Sequence, residues 1–234
     1  MLEVKKLTVK AKNKTILKNI SFKLKKGELI VLLGPNGGGK TSLCKSIAGI
    51  GDLDVEEGNM SLKGKDITKD DISTRYEKGI TYIWQKTPVL KGVLLKDLLE
   101  EKNPELTGEE VFTKFKDRMK RLNVLKFFDR GIHDGLSGGE SKRLELFIST
   151  LDDEGRVFLF DEPDSGVDSR NVKRIGEYIS LLFEGGKNSG ILITHSEKIL
   201  EYLDVKRAMV IEKGEIVNEG GLKKILDDSK KGGS

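Results

Sequence analysis

Cysteine, histidine and long apolar runs are all scarce in this chain, and each scarcity removes a class of function. One cysteine, Cys44, among 234 residues leaves no intrachain disulfide and no cysteine cluster for a metal. Three residues beyond Thr41 in an expected helix, it reads as a small buried apolar residue rather than a reactive thiol. The longest uninterrupted apolar runs are about five residues, far short of the roughly 20 that cross a bilayer. The N-terminal MLEVKKLTVK has no apolar core of signal-peptide length, so the cytoplasm is the expected compartment and direct membrane insertion is not expected. Net charge is +4, from 42 Lys and Arg against 38 Asp and Glu. That is too mild to imply a nucleic-acid partner. Hydrophobic residues at 36% and charged residues at 34% describe an ordinary soluble protein with a charged surface and one sizeable core.

What is present is organised by periodicity. The first 26 residues carry nine lysines and one acid. Val4, Leu7 and Val9, then Ile20, Phe22 and Leu24, alternate with polar residues, as half-buried antiparallel strands do. From Glu28 the pattern changes: Leu29 to Leu33 has no polar interruption, and Val157–Phe160 and Ile191–Ile193 are of the same kind. Such runs fit strands buried on both faces of a mostly parallel sheet. Met209 to Ile211 predicts a further strand, followed by a turn at 212–215. Helical spacing recurs at Leu144, Phe147, Ile148 and Leu151, and at Ile175, Tyr178, Ile179 and Leu182. The charged stretch 90–150 reads as helical, and residues 227–234, without an apolar side chain, read as a frayed tail. The expected fold class is α/β.

Gly34 to Thr41 reads G-PNGG-G-K-T, which fits the phosphate-binding pattern G-x-x-x-x-G-K-[ST] after a buried strand and before a helix. Across Gly34, Pro35, Asn36, Gly37, Gly38 and Gly39 the glycines free the backbone to turn the N–H groups of the loop, all but Pro35's position, onto a phosphate, and the helix dipole adds positive potential. Lys40 then reaches the β- and γ-phosphates, Thr41 ligates Mg²⁺, and Ser42 meets the α-phosphate. In VFLFDEP a buried strand ends in two carboxylates at the sheet edge where open α/β folds bind ligands. Asp161 suits a water-mediated Mg²⁺ contact, and Glu162 suits orienting the attacking water. Ser137-Gly138-Gly139-Glu140, before an expected helix, is either a second backbone anion site or an ordinary N-cap.

Together these residues resemble the ATP-binding-cassette (ABC) ATPases over almost the whole chain. GPNGGGKT is similar to their Walker A motif, LSGGE to their signature motif and VFLFDEP to their Walker B motif. Gln85 resembles the Q-loop glutamine that senses Mg²⁺ and couples to a partner. Ser165, Gly166 and Asp168 resemble the D-loop, and His195 the switch histidine that contacts the γ-phosphate; His133 lies in no motif. The resemblance implies a P-loop NTPase core over 1–89 and 151–234, with an antiparallel β region at its N-terminus. It also implies a helical subdomain at 90–150, all within one domain of 234 residues. It implies an ATPase using ATP and Mg²⁺, in which two copies close head to tail and the signature of one meets the γ-phosphate held by the other. The family's usual adenine-stacking aromatic is missing near Lys10 to Lys14.

Shorter details resemble the SUF-system subfamily, SufC. They are Asp164-Ser-Gly-Val-Asp168, the run from Thr194 to Tyr202, and Ser-Gly-Gly-Glu-x-Lys-Arg. That resemblance implies an ATPase driving rearrangement of a SufB- or SufBD-type scaffold for iron–sulfur cluster assembly, with no cluster bound by this chain; Trp84–Leu95 is then either its docking surface or plain core of the helical subdomain. The competing reading is the motor subunit of an ABC transporter with a separate membrane subunit. A DNA-repair or chromosome-structure ATPase would carry a long coiled-coil or zinc insertion, and none is visible.

Overall fold

The lysine-studded alternation of the first residues folds as β1 (Leu2–Ala11) and β2 (Lys14–Leu24), an antiparallel pair. Leu2, Val4, Ile20, Phe22 and Leu24 are buried at alternate positions while the lysines between them face out, with register shifts that move the next buried positions to Leu7 and Leu17. The structure, a computed structural model, describes residues 1–85, 92–132 and 135–231. The buried run Leu29–Leu33 is β3, and α1 (Lys40–Ala48) follows the glycine loop. Then come β4 (Asp54–Leu62), β5 (Lys65–Asp66), α2 (Ile72–Glu77) and β6 (Ile80–Ile83). The helical stretch contains α3 (Leu95–Glu101), α4 (Gly108–Arg121), a 3-10 turn at Leu125–Phe127 and α5 (Gly138–Ser149). The chain continues through β7 (Val157–Asp161), α6 (Ser169–Phe183), β8 (Ser189–Ile193) and α7 (Glu197–Leu200). It closes with β9 (Arg207–Glu212), β10 (Glu215–Gly221) and α8 (Leu222–Lys231).

The strands form two sheets. One is antiparallel with order β2-β1-β4-β5. The other has order β10-β9-β3-β8-β7-β6, parallel except for the antiparallel edge strand β10. Alternation along the parallel strands divides the core in two. Ile30, Leu32, Val157, Leu159, Ile191 and Ile193 point into the cluster shared with α1 and the antiparallel sheet. Leu29, Val31, Phe158, Phe160 and Leu192 point into the cluster formed with α3 to α8. Runs without polar interruption are thus explained by a core on each face.

Four strands, β4, β5, β6 and β10, were not anticipated. β4 carries few apolar residues and is held by pairing with β1; β6 is four residues long and is held by β7. The expected frayed tail from Asp227 is corrected: α8 continues to Lys231. Ile225, 3% exposed, anchors that helix to the core, and extending an anchored helix costs far less than starting one. We retain the division at 90 and 150 as a proposal, because the core cluster runs without a break from the sheet into α3, α4 and α5.

Candidate functional site

Loop 34–39 joins β3 to α1, and its glycines are dictated by what lies beneath them. Gly34 (φ 136°) and Gly39 (φ 116°) occupy backbone conformations that side chains disfavour. A Cβ on Gly34 would lie 2.0 Å from the Ile211 carbonyl oxygen, and one on Gly39 3.1 Å from Leu17 Cδ2. Gly37 has nothing within 4 Å of its would-be Cβ, and Pro35, Asn36 and Gly37 form the exposed tip. The β9–β10 turn braces the loop from behind, with the Gly214 N–H donating to the Gly38 carbonyl at 2.9 Å.

Lys40 and Thr41 open α1, with Ser42 next to them. The Lys40 ammonium, 6% exposed, donates to the carbonyls of Gly34 (2.7 Å) and Pro35 (3.0 Å). Burial lowers its pKa, and the charges of Glu162 and Asp161 oppose that shift. The Thr41 hydroxyl donates to Asp161 Oδ1 at 3.0 Å across the gap to β7. Asp161 is 1% exposed, and its other oxygen accepts the Tyr82 hydroxyl at 2.5 Å.

Glu162 follows with φ 51°, a left-handed conformation that costs a side-chain-bearing residue of order 1–3 kcal/mol. The turn brings two expected partners onto one carboxylate: Gln85 Nε2 donates to Oε2 at 2.7 Å, and His195 Nε2 lies 3.3 Å from Oε1. Gln85 comes two residues after β6 and His195 two after β8, the strands flanking β7. Thr194 donates to both oxygens of Asp164, tying the turn after β7 to the end of β8. Ser165, Gly166 and Lys198 complete a cavity of about 370 Å³ with Glu162 and His195.

The remaining expected residues are engaged otherwise within the chain. Ser137 is the N-cap of α5 in a capping box with Glu140, with Gly138 and Gly139 in the first turn. Lys126 and Ser137 together hold the Glu140 carboxyl down to about 2. Asp168 caps α6, accepting from the N–H groups of Arg170 (3.0 Å) and Asn171 (3.1 Å). Lys142, one turn into α5, donates to the carbonyls of Glu162 (2.9 Å) and Ser165 (2.5 Å), so α5 is tethered to the Glu162 turn. Sequence reasoning assigned no role to Tyr82, Lys142 or Thr194. A tyrosine in an apolar strand or a lysine on a charged helix carries no local signal; only the sheet order brings them to the site.

The residues present fit a nucleotide and its metal. The Thr41 hydroxyl beside a buried carboxylate is an oxygen donor set of the kind Mg²⁺ takes. No group of three His, Cys, Asp or Glu side chains gathers among the described residues, as suits an ion held largely by phosphates and water.

Comparison with known proteins agrees with this geometry. The family model described as ABC transporter matches residues 17–165. The chain belongs to the ABC transporter family. An uncharacterized ABC transporter ATP-binding protein of Methanocaldococcus jannaschii is 32% identical, over 99% of this chain and 93% of the relative. A probable ATP-dependent transporter SufC of Escherichia coli is 32% identical over 94% and 92%. A solved ATP-binding cassette of an ABC transporter has a TM-score of 0.80 at 26% identity, covering 98% of this chain and 96% of that one. Another, a dimeric cassette in a post-hydrolysis state with ADP and Pi, has a TM-score of 0.80 at 21% identity, over 95% and 99%, and shares the fold. This ABC ATPase therefore uses ATP and Mg²⁺. No helix among its described residues is long and apolar enough to cross a membrane.

Proposed function

We propose that loop 34–42 binds ATP, that Glu162 activates water for its hydrolysis, and that the cycle drives rearrangement of a SufB- or SufBD-type scaffold in iron–sulfur cluster assembly. The observation that carries the catalytic part is the meeting of Gln85 and His195 on the Glu162 carboxylate, at the sheet edge that also holds the Thr41–Asp161 pair.

Lys40 exchanges its loop carbonyls for phosphate oxygens, a stronger charge-assisted contact. Thr41, Asp161 and Gln85 would hold Mg²⁺, which would neutralise negative charge on the phosphates. Glu162 orients the attacking water and accepts its proton. His195, half exposed on the open side of Glu162, contacts the γ-phosphate. A second copy, head to tail, supplies Ser137, Gly138, Gly139 and Glu140 to that phosphate, with Ser165, Gly166 and Asp168 at the joint. The scaffold role is supported by the Asp164–Asp168 and Thr194–Tyr202 details and by the relative named SufC. Of the docking segment Trp84–Leu95, residues 86–91 lie outside the described residues.

Recovery of the tagged chain from its native cells without detergent tests the partner. A scaffold protein carrying iron and sulfide is the expected companion. A multi-span membrane protein, recovered only with detergent, would instead make this chain a transporter motor, a reading that the transporter names of its relatives favour. Glu162→Gln tests the chemistry apart from the partner: ATP binding should persist while turnover is lost.

A further inference from the structure

Tyr82 is buried, 8% exposed, on a strand whose residues carry no catalytic assignment. Its hydroxyl donates to Asp161 Oδ2 at 2.5 Å, while Thr41 occupies Oδ1 at 3.0 Å. The two bonds reach Asp161 from different elements: α1 supplies one, and β6, at the far side of β7, supplies the other. They also differ in kind. In the proposed site the Thr41 hydroxyl would also be a Mg²⁺ ligand, its oxygen serving the metal while its O–H serves Asp161. The Tyr82 hydroxyl has no metal to hold, and its bond to Oδ2 comes from a strand outside loop 34–42. A carboxylate 1% exposed that lost both donors would be buried without a partner, which costs several kcal/mol for a charged group.

We infer that Tyr82 is a positioning residue for the magnesium site: its hydroxyl anchors one oxygen of Asp161 so that the other faces the metal. Outer donors of this kind set the orientation of a ligand and are commonly worth 10–100-fold in metal affinity. The Tyr82 ring is itself fixed by Trp84, edge to face at 5.1 Å between centroids. Trp84 is the chain's one tryptophan and immediately precedes Gln85. Its fluorescence therefore reports the packing of this ring pair without a label.

The inference rests on the reading of Asp161 as the metal carboxylate, and the test separates the two. Mn²⁺ binding would be followed by electron paramagnetic resonance in the full chain with a non-hydrolysable ATP analogue, for wild type, Tyr82→Phe, Asp161→Asn and the double variant. Tyr82→Phe should weaken Mn²⁺ binding about tenfold, leave binding of the analogue in EDTA within twofold, and leave Trp84 emission unchanged. The Mg²⁺ concentration for half-maximal turnover should rise by the same factor, with kcat largely recovered at saturating Mg²⁺. In the Asp161→Asn background Tyr82→Phe should add little. If Asp161→Asn weakens Mn²⁺ binding and Tyr82→Phe does not, Tyr82 is only core and the inference fails. If Asp161→Asn itself leaves Mn²⁺ binding intact, the reading of Asp161 fails first and the inference with it. Should Tyr82→Phe not fold, Tyr82→His keeps a ring and an N–H donor. Its Mn²⁺ affinity must then fall below wild type by less than that of Asp161→Asn, and any other order overturns the inference.

Discussion

Two ends of this molecule face phosphate in the proposed cycle, and they are built differently. At the edge of the parallel sheet, the fold brings Thr41 onto Asp161 and brings Gln85 and His195 onto the adjacent Glu162, while Lys40 is held on the carbonyls of its own loop. At the starts of α5 and α6, Ser137 and Asp168 are spent on their own helices as N-caps. The first end is assembled by the fold of one chain. The second is locally complete without any ligand, so its functional role requires an outside phosphate to compete with bonds already made. A residue with a sufficient structural job can still have a second one, and the two jobs differ in which substitutions they tolerate.

The largest expected effect breaks the first end. Glu162→Gln should lower turnover by roughly 10²–10⁴-fold, the range for loss of a general base, with ATP affinity retained in equilibrium binding. Turnover at the wild-type rate would remove Glu162 from the chemistry. Gly34→Ala attacks the loop itself: a methyl 2.0 Å from the Ile211 carbonyl oxygen cannot be accommodated without moving β9. ATP binding should fall by more than tenfold, as measured with a fluorescent analogue.

The second end is sharpened by a pair of variants. Ser137→Ala removes the α5 cap, worth about 1 kcal/mol in urea unfolding, and should lower turnover more than tenfold. Ser137→Asp restores a good cap but sets a negative charge before the incoming phosphate. Stability should return and turnover should not. Recovery of both would show that Ser137 acts only as a cap.

Arg75→Met probes the support beneath the first end. The Arg75 guanidinium, 4% exposed, donates to the carbonyls of Ser46 and Ile47 at the end of α1 and to those of Thr68 and Asp70. Burial lowers its pKa while neighbouring aspartates oppose that. Its loss leaves buried carbonyls unpaired, about 2–4 kcal/mol, in the helix that carries Lys40 and Thr41. The smallest expected effect is with acid. Glu140, held down to about 2 from 4.5, contributes stability that is present above pH 4.5 and lost as pH falls toward 2. The bonds are surface ones, so the loss should be no more than about 1 kcal/mol. Thermal unfolding of Glu140→Gln against wild type across that window measures it.

Much of this was legible in the sequence because some of its signals are local. LIVLL and VFLF lie on strands with a core on each face, so they had to be apolar throughout. The glycines of 34–39 mark themselves because bare backbone is the only way past Ile211 and Leu17. The strand β6 was not legible: four residues after a short helix look like many other segments until β7 pairs with them. For the same reason Tyr82 carried no signal. The end of α8 was misjudged because the residues that hold it, Leu222 and Ile225, precede the polar stretch they stabilise.

The sequence by itself determined the α/β class, the glycine loop with Lys40 and Thr41, and the two carboxylates that end a buried strand. Each follows from short-range chemistry: period, backbone freedom and the cost of burying charge. Tertiary structure alone decided which side chains share Glu162 and Asp161. Gln85, His195 and Tyr82 are separated from those acids by tens of residues and meet them only because β6, β7 and β8 are neighbours in one sheet. Strand order is a long-range choice made by the packing of the whole core, and no local stretch of sequence encodes it.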